Sequence, residues 1–133
     1  MKPPLEIFEH RTVVKWSETY SDKISFNLIH IPNGGQRPKR AASILAKLGV
    51  KPGVADFFLS CPNNKYHGLW LELKRQKVKG FYPAKPSVEQ IKFLSNQREN
   101  GYATYVAYGS ELAIKFITKY FYNLVSDEDI TYK

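Results

Sequence analysis

At 133 residues and 43% hydrophobic content, the chain has enough apolar material for one compact domain and no need of a second. Its 20 Lys and Arg outweigh 12 Asp and Glu, and the net charge of +8 points to a polyanionic partner, nucleic acid first. The lone Cys61 excludes a disulfide framework and a cysteine-rich zinc site and fits a reducing, intracellular setting. No secretory signal opens the chain, and no apolar run nears the ~20 residues of a membrane span, so the protein is expected to be neither secreted nor membrane-bound.

Leu5, Phe8, Val13, Trp16 and Tyr20, with polar residues between, predict an amphipathic helix from Leu5 to about Tyr20 behind Pro3 and Pro4. The alternating run from Ile24 to Ile31 reads as the first strand, closed by the turn residues Pro32, Asn33, Gly34 and Gly35. A helix over Arg37 to Leu48, stopped by Gly49, leads to two strands, about Ala55 to Ser60 and Gly68 to Arg75. A basic stretch to Pro86, broken by Gly80, Pro83 and Pro86, reads as a loop or flap. Ser87 then caps a helix that Gly101 ends, Ala103 to Tyr108 is a short buried strand, and Glu111 to about Tyr122 is the last helix. The order αβαββαβα predicts an α/β fold, a single domain over 1–133 in which helices flank a small sheet.

Charges interrupt two of the apolar strands. Asp56 precedes Phe57, Phe58 and Leu59, and Glu72 and Lys74 punctuate Leu69 to Lys74. Alternate strand residues share a face, so Glu72 and Lys74 point one way while Leu71 and Leu73 point the other. If the Asp56 strand lies alongside, two carboxylates and an ammonium converge. Paired carboxylates seat a hard divalent cation, and the lysine can orient or deprotonate a water. The competing reading is a surface ion pair on an edge strand, but burying such groups among Phe57, Phe58, Leu69 and Leu71 is costly without a metal or partner. Gly53 additionally permits a close backbone approach of the kind a phosphate site needs. The three histidines are scattered and lack the spacing of a histidine-based zinc site.

Gly53-Val54-Ala55-Asp56, Trp70-Leu71-Glu72-Leu73-Lys74 and Ser87-Val88-Glu89-Gln90, in that order, resemble the VRR-NUC nuclease domain, a branch of the PD-(D/E)XK superfamily. His30-Ile31-Pro32-Asn33-Gly34-Gly35 is similar to the stretch that precedes these motifs in stand-alone, phage-type members, and the resemblance runs from about Glu6 to Tyr122. It implies a restriction-endonuclease-like domain with a small mixed central sheet. It also implies a Mg²⁺- or Mn²⁺-dependent nuclease in which Asp56, Glu72 and the Leu73 carbonyl ligate the metal and Lys74 positions the attacking water. The first-helix glutamate of the family, followed four residues later by Gln or His, matches Glu6 and His10, with Glu9 as the alternative; Gln90 matches the glutamine after the flap. His30 is a further candidate from the end of its strand, whereas His67 is assigned to structure. Two features depart from the pattern. Ala55 stands where the family commonly has proline, and the segment from Gln76 to Pro86 is longer than the usual connection.

Around these residues runs a basic series comprising Arg37, Lys39, Arg40, Lys47, Lys51, Lys65, Arg75, Lys77, Lys79 and Lys85, to which Asn33 is added as a nucleic-acid contact. Tyr66, Phe81 and Tyr82 are interleaved with the charge and are positioned to stack on unpaired bases or to pack under the flap. Together with the resemblance, these features predict a DNA endonuclease acting on branched substrates such as Holliday junctions, in recombination or repair. If phage-encoded, it would work in the cytoplasm of a bacterial host. Two cuts at a four-way junction suit a homodimer, for which Tyr120, Phe121, Tyr122 and Leu124 offer apolar surface. A non-catalytic nucleic-acid-binding module and an RNA-processing nuclease are the alternatives.

Overall fold

Helix α1 spans Glu6–Tyr20, close to the expected bounds, but the stripe it buries is Glu9, Val13 and Ser17, whereas Leu5, Phe8 and Tyr20 of the expected apolar face are exposed and Trp16 is half-buried. The computed structural model describes residues 2–32 and 38–130. The expected Asn33-Gly34-Gly35 turn and the contacts assigned to Asn33 and Arg37 lie outside them.

The segment after α1 departs from the expected strand. Asp22–Asn27 forms a short helix, α2, and β1 is confined to Leu28–His30. Ser21 is the reason: its side chain accepts the Ile24 N–H at 3.3 Å and caps the helix, and Asp22 adds a negative charge at the positive dipole end. The alternation of Ile24, Phe26 and Leu28 imitates a strand, yet Ile24 is fully buried while Phe26 is 88% exposed. Next come α3 at Lys39–Lys47, β2 at Phe57–Leu59 and β3 at Leu69–Lys74. The remaining elements are α4 at Val88–Glu99, β4 at Ala103–Tyr108, α5 at Ser110–Phe121 and a 3₁₀ turn at Asp127–Ile130.

The four strands make one mixed sheet in the order β1-β2-β3-β4. β1 and β2 are antiparallel, as are β2 and β3, whereas β3 and β4 are parallel and joined through α4. A parallel pair needs such a crossover, because a hairpin cannot reverse the chain twice.

Strand alternation sorts the two faces. Leu69, Leu71 and Leu73 join Phe57, Leu59, Ala103 and Ala107 in the main core, closed by Val13 of α1 and by Ala113, Phe116, Ile117 and Tyr120 of α5. Trp70 lies on the opposite face, in a smaller cluster with Ala55, Val106, Tyr108, and Phe93 and Leu94 of α4. Glu72 and Lys74 share the parity of Trp70 and so face α4. Tyr120 is 1% exposed and donates its hydroxyl to the Cys61 carbonyl at 2.6 Å, which removes it from the apolar surface expected of the last helix; Tyr122 and Leu124 are exposed.

Candidate active site

At the end of the sheet where β2 begins and β3 ends, the backbone brings Asp56 and Glu72 side by side. Phe57 pairs with Leu71, so Asp56 falls opposite Glu72 as the antiparallel register runs on. Asp56 is fixed by its partner strand, because Oδ2 accepts the backbone N–H of Leu73 at 2.7 Å. The same peptide strand thus supplies the Leu73 backbone and the flanking Glu72 and Lys74.

Glu72 is 4% exposed. Its Oε1 accepts from the Gln90 amide at 3.3 Å, while Oε2 is buried with no hydrogen-bond partner among the described residues. Burial pushes the Glu72 carboxyl up to about 9, and the adjacent Asp56 charge adds to the shift against the opposing pull of Lys74. An orphaned oxygen beside a second carboxylate is the donor set that a hard divalent cation satisfies, and the residues present fit such an ion.

Gln90 links the acid to the base. Its Oε1 accepts from Lys74 Nζ at 3.1 Å and from the Ser87 N–H at 2.9 Å, and its Nε2 donates to Glu72. Ser87 and Gln90 form a capping box, so the device that starts α4 also aims the Gln90 amide. Gly53 lets this happen. With φ at +83°, a Cβ there would stand 2.5 Å from the Glu89 carbonyl carbon and 2.9 Å from the Gln90 nitrogen. The close approach read at Gly53 is therefore to the first turn of α4, and the loop before Asp56 is seated against Gln90.

From the other side, α1 delivers Glu6 and His10 one turn apart. A carboxylate oxygen of Glu6, an imidazole nitrogen of His10 and a carboxylate oxygen of Asp56 all lie within 4.8 Å of one another. His10 Nε2 stands 3.8 Å from Asp56 Oδ1. Burial raises the Glu6 carboxyl, with Asp56 adding to it, and lowers His10, which Asp56 partly offsets. His30 engages the same strand differently: Nδ1 bonds the Asp56 backbone carbonyl at 2.9 Å, and the ring meets His10 edge-on at 5.0 Å. A cleft of about 1020 Å³ is lined by Glu6, Ile7, His10 and Val14 of α1 together with His30 and Asp56.

The alternative first-helix residue, Glu9, is committed elsewhere. Its Oε2 accepts the Ser110 N–H at 2.5 Å, at the start of α5, and Oε1 accepts from Gln76 at 3.3 Å. It neutralises a buried helix N-terminus 101 positions away, a task that no local pattern announces.

The basic series divides. Lys39 and Arg40 are exposed on α3, and Lys79 is exposed beside the turn that brings Val78 to Phe81. Lys51 is exposed before the loop leading to Asp56. Arg75 is occupied: its guanidinium donates to the Pro4 carbonyl at 3.0 Å and the Pro3 carbonyl at 2.7 Å, and lies over the Phe81 ring at 4.4 Å. Lys77 sits over the Tyr108 ring at 3.8 Å. Lys65 and Tyr66 belong to the connection at the far end of the β2–β3 pair. There Lys65 pairs with Asp127 at 3.1 Å, and the buried Tyr66 donates to the same carboxylate at 2.9 Å. Tyr66 is thus core, and of the three aromatic residues offered for stacking Tyr82 is the most exposed, at 81%. His67 packs against Gly101 and the Tyr102 ring.

No protein-family model matches the chain, and no curated protein matches it in sequence. Among solved structures it is similar to one described as a VRR_NUC domain protein, with 24% identity, 92% of each chain covered and a TM-score of 0.77. The α/β architecture, with its mixed four-stranded sheet flanked by helices, is that of a VRR_NUC domain fold.

Proposed function

We propose that the protein is a metal-dependent endonuclease that hydrolyses DNA phosphodiester bonds. The observation that carries this reading is the buried, unpartnered Oε2 of Glu72 beside Asp56, on strands whose next polar side chain is Lys74. Asp56, Glu72 and the Leu73 carbonyl would hold Mg²⁺ or Mn²⁺, with Glu6 reaching in from α1. When bound, the ion supplies Lewis-acid polarisation of the phosphate and a more acidic water.

The chain's own groups do the rest. Lys74 carries its ammonium on the same face as Glu72, where it orients the attacking water and offsets charge that builds on the phosphate. Gln90 holds Lys74 and Glu72 in a fixed relation, so neither side chain has to reorganise when substrate arrives. Exposed cations on α3 and the 76–86 segment neutralise flanking phosphates.

A domain with one short basic helix at its surface has little apparatus for reading base edges, which favours selection by DNA shape, and branched DNA such as a four-way junction is the proposed substrate. Symmetric resolution of a junction would take two copies, as a homodimer. Cleavage of labelled four-way, flap and linear DNA with Mg²⁺ or Mn²⁺, with a matched RNA as competitor, tests the reading. Metal-dependent cutting of the junction above linear DNA supports it. Retained cutting by Asp56→Asn and Lys74→Ala would defeat it, and a preference for RNA would replace DNA as the substrate.

A further inference from the structure

The site has a feature that carboxylates alone do not explain: an imidazole aimed at Asp56 without bonding to it. His10 Nε2 is 3.8 Å from Asp56 Oδ1, beyond a hydrogen bond. Donor atoms bound to one six-coordinate ion at ~2.1 Å lie roughly 3.0 to 4.2 Å apart, and this separation falls inside that interval. The Glu6 carboxylate completes a group whose three donor atoms are all within 4.8 Å of one another.

The ring is held in that position. Phe57, 1% exposed, backs His10 with ring centroids 4.9 Å apart, and His30 meets its edge at 5.0 Å. His30 is itself anchored through Nδ1 to the Asp56 carbonyl. A second observation stands beside this group: on the strand residue opposite Asp56, the buried Oε2 of Glu72 has no hydrogen-bond partner among the described residues.

We propose that His10 Nε2 is a direct metal ligand, forming with Glu6 and Asp56 a mixed nitrogen–oxygen seat that favours Mn²⁺ and related first-row transition ions over Mg²⁺. This rests on the nuclease reading for the ion's use, though not for its binding. Mg²⁺ is a small, hard ion that keeps its waters and takes oxygen donors, so an imidazole in its coordination sphere gains it little. Transition ions accept imidazole nitrogen readily, and replacing one oxygen donor by nitrogen shifts the balance toward them.

The test is electron spin-echo spectroscopy of Mn²⁺ bound to the full chain, together with calorimetric titration of Mn²⁺ and Mg²⁺. Wild-type protein should show ¹⁴N modulation of the imidazole type, converted to a ¹⁵N pattern when histidine is isotopically labelled. His10→Gln, which keeps an oxygen donor at the same reach, should lose the modulation. Its Mn²⁺ affinity should fall by on the order of tenfold, with a smaller change for Mg²⁺. His30→Gln should keep the modulation. Absence of nitrogen coupling in Mn²⁺-loaded wild type, its persistence in His10→Gln, or its loss in His30→Gln alone would overturn the assignment, as would failure of wild type to bind Mn²⁺. Coupling in a protein that cuts no DNA would instead leave the ligand assignment standing and remove the nuclease reading.

Discussion

Asp56 Oδ2 accepts the backbone N–H of Leu73 at 2.7 Å, so the carboxylate at the start of one strand is oriented by the peptide that follows Glu72 on the next. Asparagine at position 56 keeps an oxygen for that N–H while removing the charge. Asp56→Asn should therefore melt within a few degrees of wild type and still shift DNA in a gel. Its cleavage rate should drop by about a thousandfold or more, the equivalent of losing several kcal/mol of metal-centred stabilisation. Cutting at the wild-type rate would remove Asp56 from the chemistry.

Glu72 makes the metal-free protein sensitive to pH. Its carboxyl titrates near 9 in the folded state against 4.5 ordinarily, so between those values the folded chain holds a proton that the unfolded chain has released. Stability is then fully present below the lower value and declines as pH rises toward the upper one. Glu72→Gln should flatten this dependence and melt higher than wild type in chelator at mildly alkaline pH. A cation must displace the same proton, so binding should tighten with pH, and calorimetry in buffers of different ionisation enthalpy should register proton release. Parallel melting-versus-pH curves for the two proteins would contradict the arrangement.

Gly53 separates positioning from chemistry. Alanine there combines a left-handed φ with a Cβ 2.5 Å from the Glu89 carbonyl, and both drive the loop away from α4. A stability cost of about 1–3 kcal/mol is expected from backbone strain. Because Gln90 is displaced relative to Glu72 and Lys74, kcat should fall more than substrate affinity. Unchanged turnover in a folded Gly53→Ala would show that this seating does not matter to the site.

Arg75 behaves as a clasp, in contrast to the exposed cations. Losing its bonds to the Pro3 and Pro4 carbonyls should cost about 1–2 kcal/mol and free the residues before Glu6. Arg75→Ala is expected to become susceptible to proteolysis near its N-terminus, with little change in the salt dependence of DNA binding. A salt slope reduced as much as by loss of a phosphate contact would mean that the guanidinium leaves the clasp for DNA.

Lys39 and Arg40 give the converse result. Both are exposed at the start of α3, and each phosphate contact removed by alanine should lower the slope of log K against log salt by ~0.9. Melting temperatures should stay put. Identical slopes for wild type and the double variant would place the DNA elsewhere on the surface.

Much of the site was legible from strand parity. Glu72 and Lys74 had to share a face, and Ser87 with Gln90 announced a capped helix in the right place. The same local logic misread Ile24 to Asn27, where alternating apolar residues suggested a strand and the Ser21 cap produced a helix. It also gave no sign that Arg75 and Lys65 have partners within the chain, because Pro3, Pro4 and Asp127 lie 62 to 72 positions away.

By itself the sequence determined which residues alternate, which helices are capped, and that charges interrupt two greasy strands, because these depend on neighbours a few positions apart. Tertiary structure decided that Glu6 and His10 meet Asp56, that Glu9 serves the N-terminus of α5 instead, and that Gly53 seats Gln90 against Glu72 and Lys74. Those outcomes depend on how α1 and α4 pack against the sheet, and packing is set by the whole core at once.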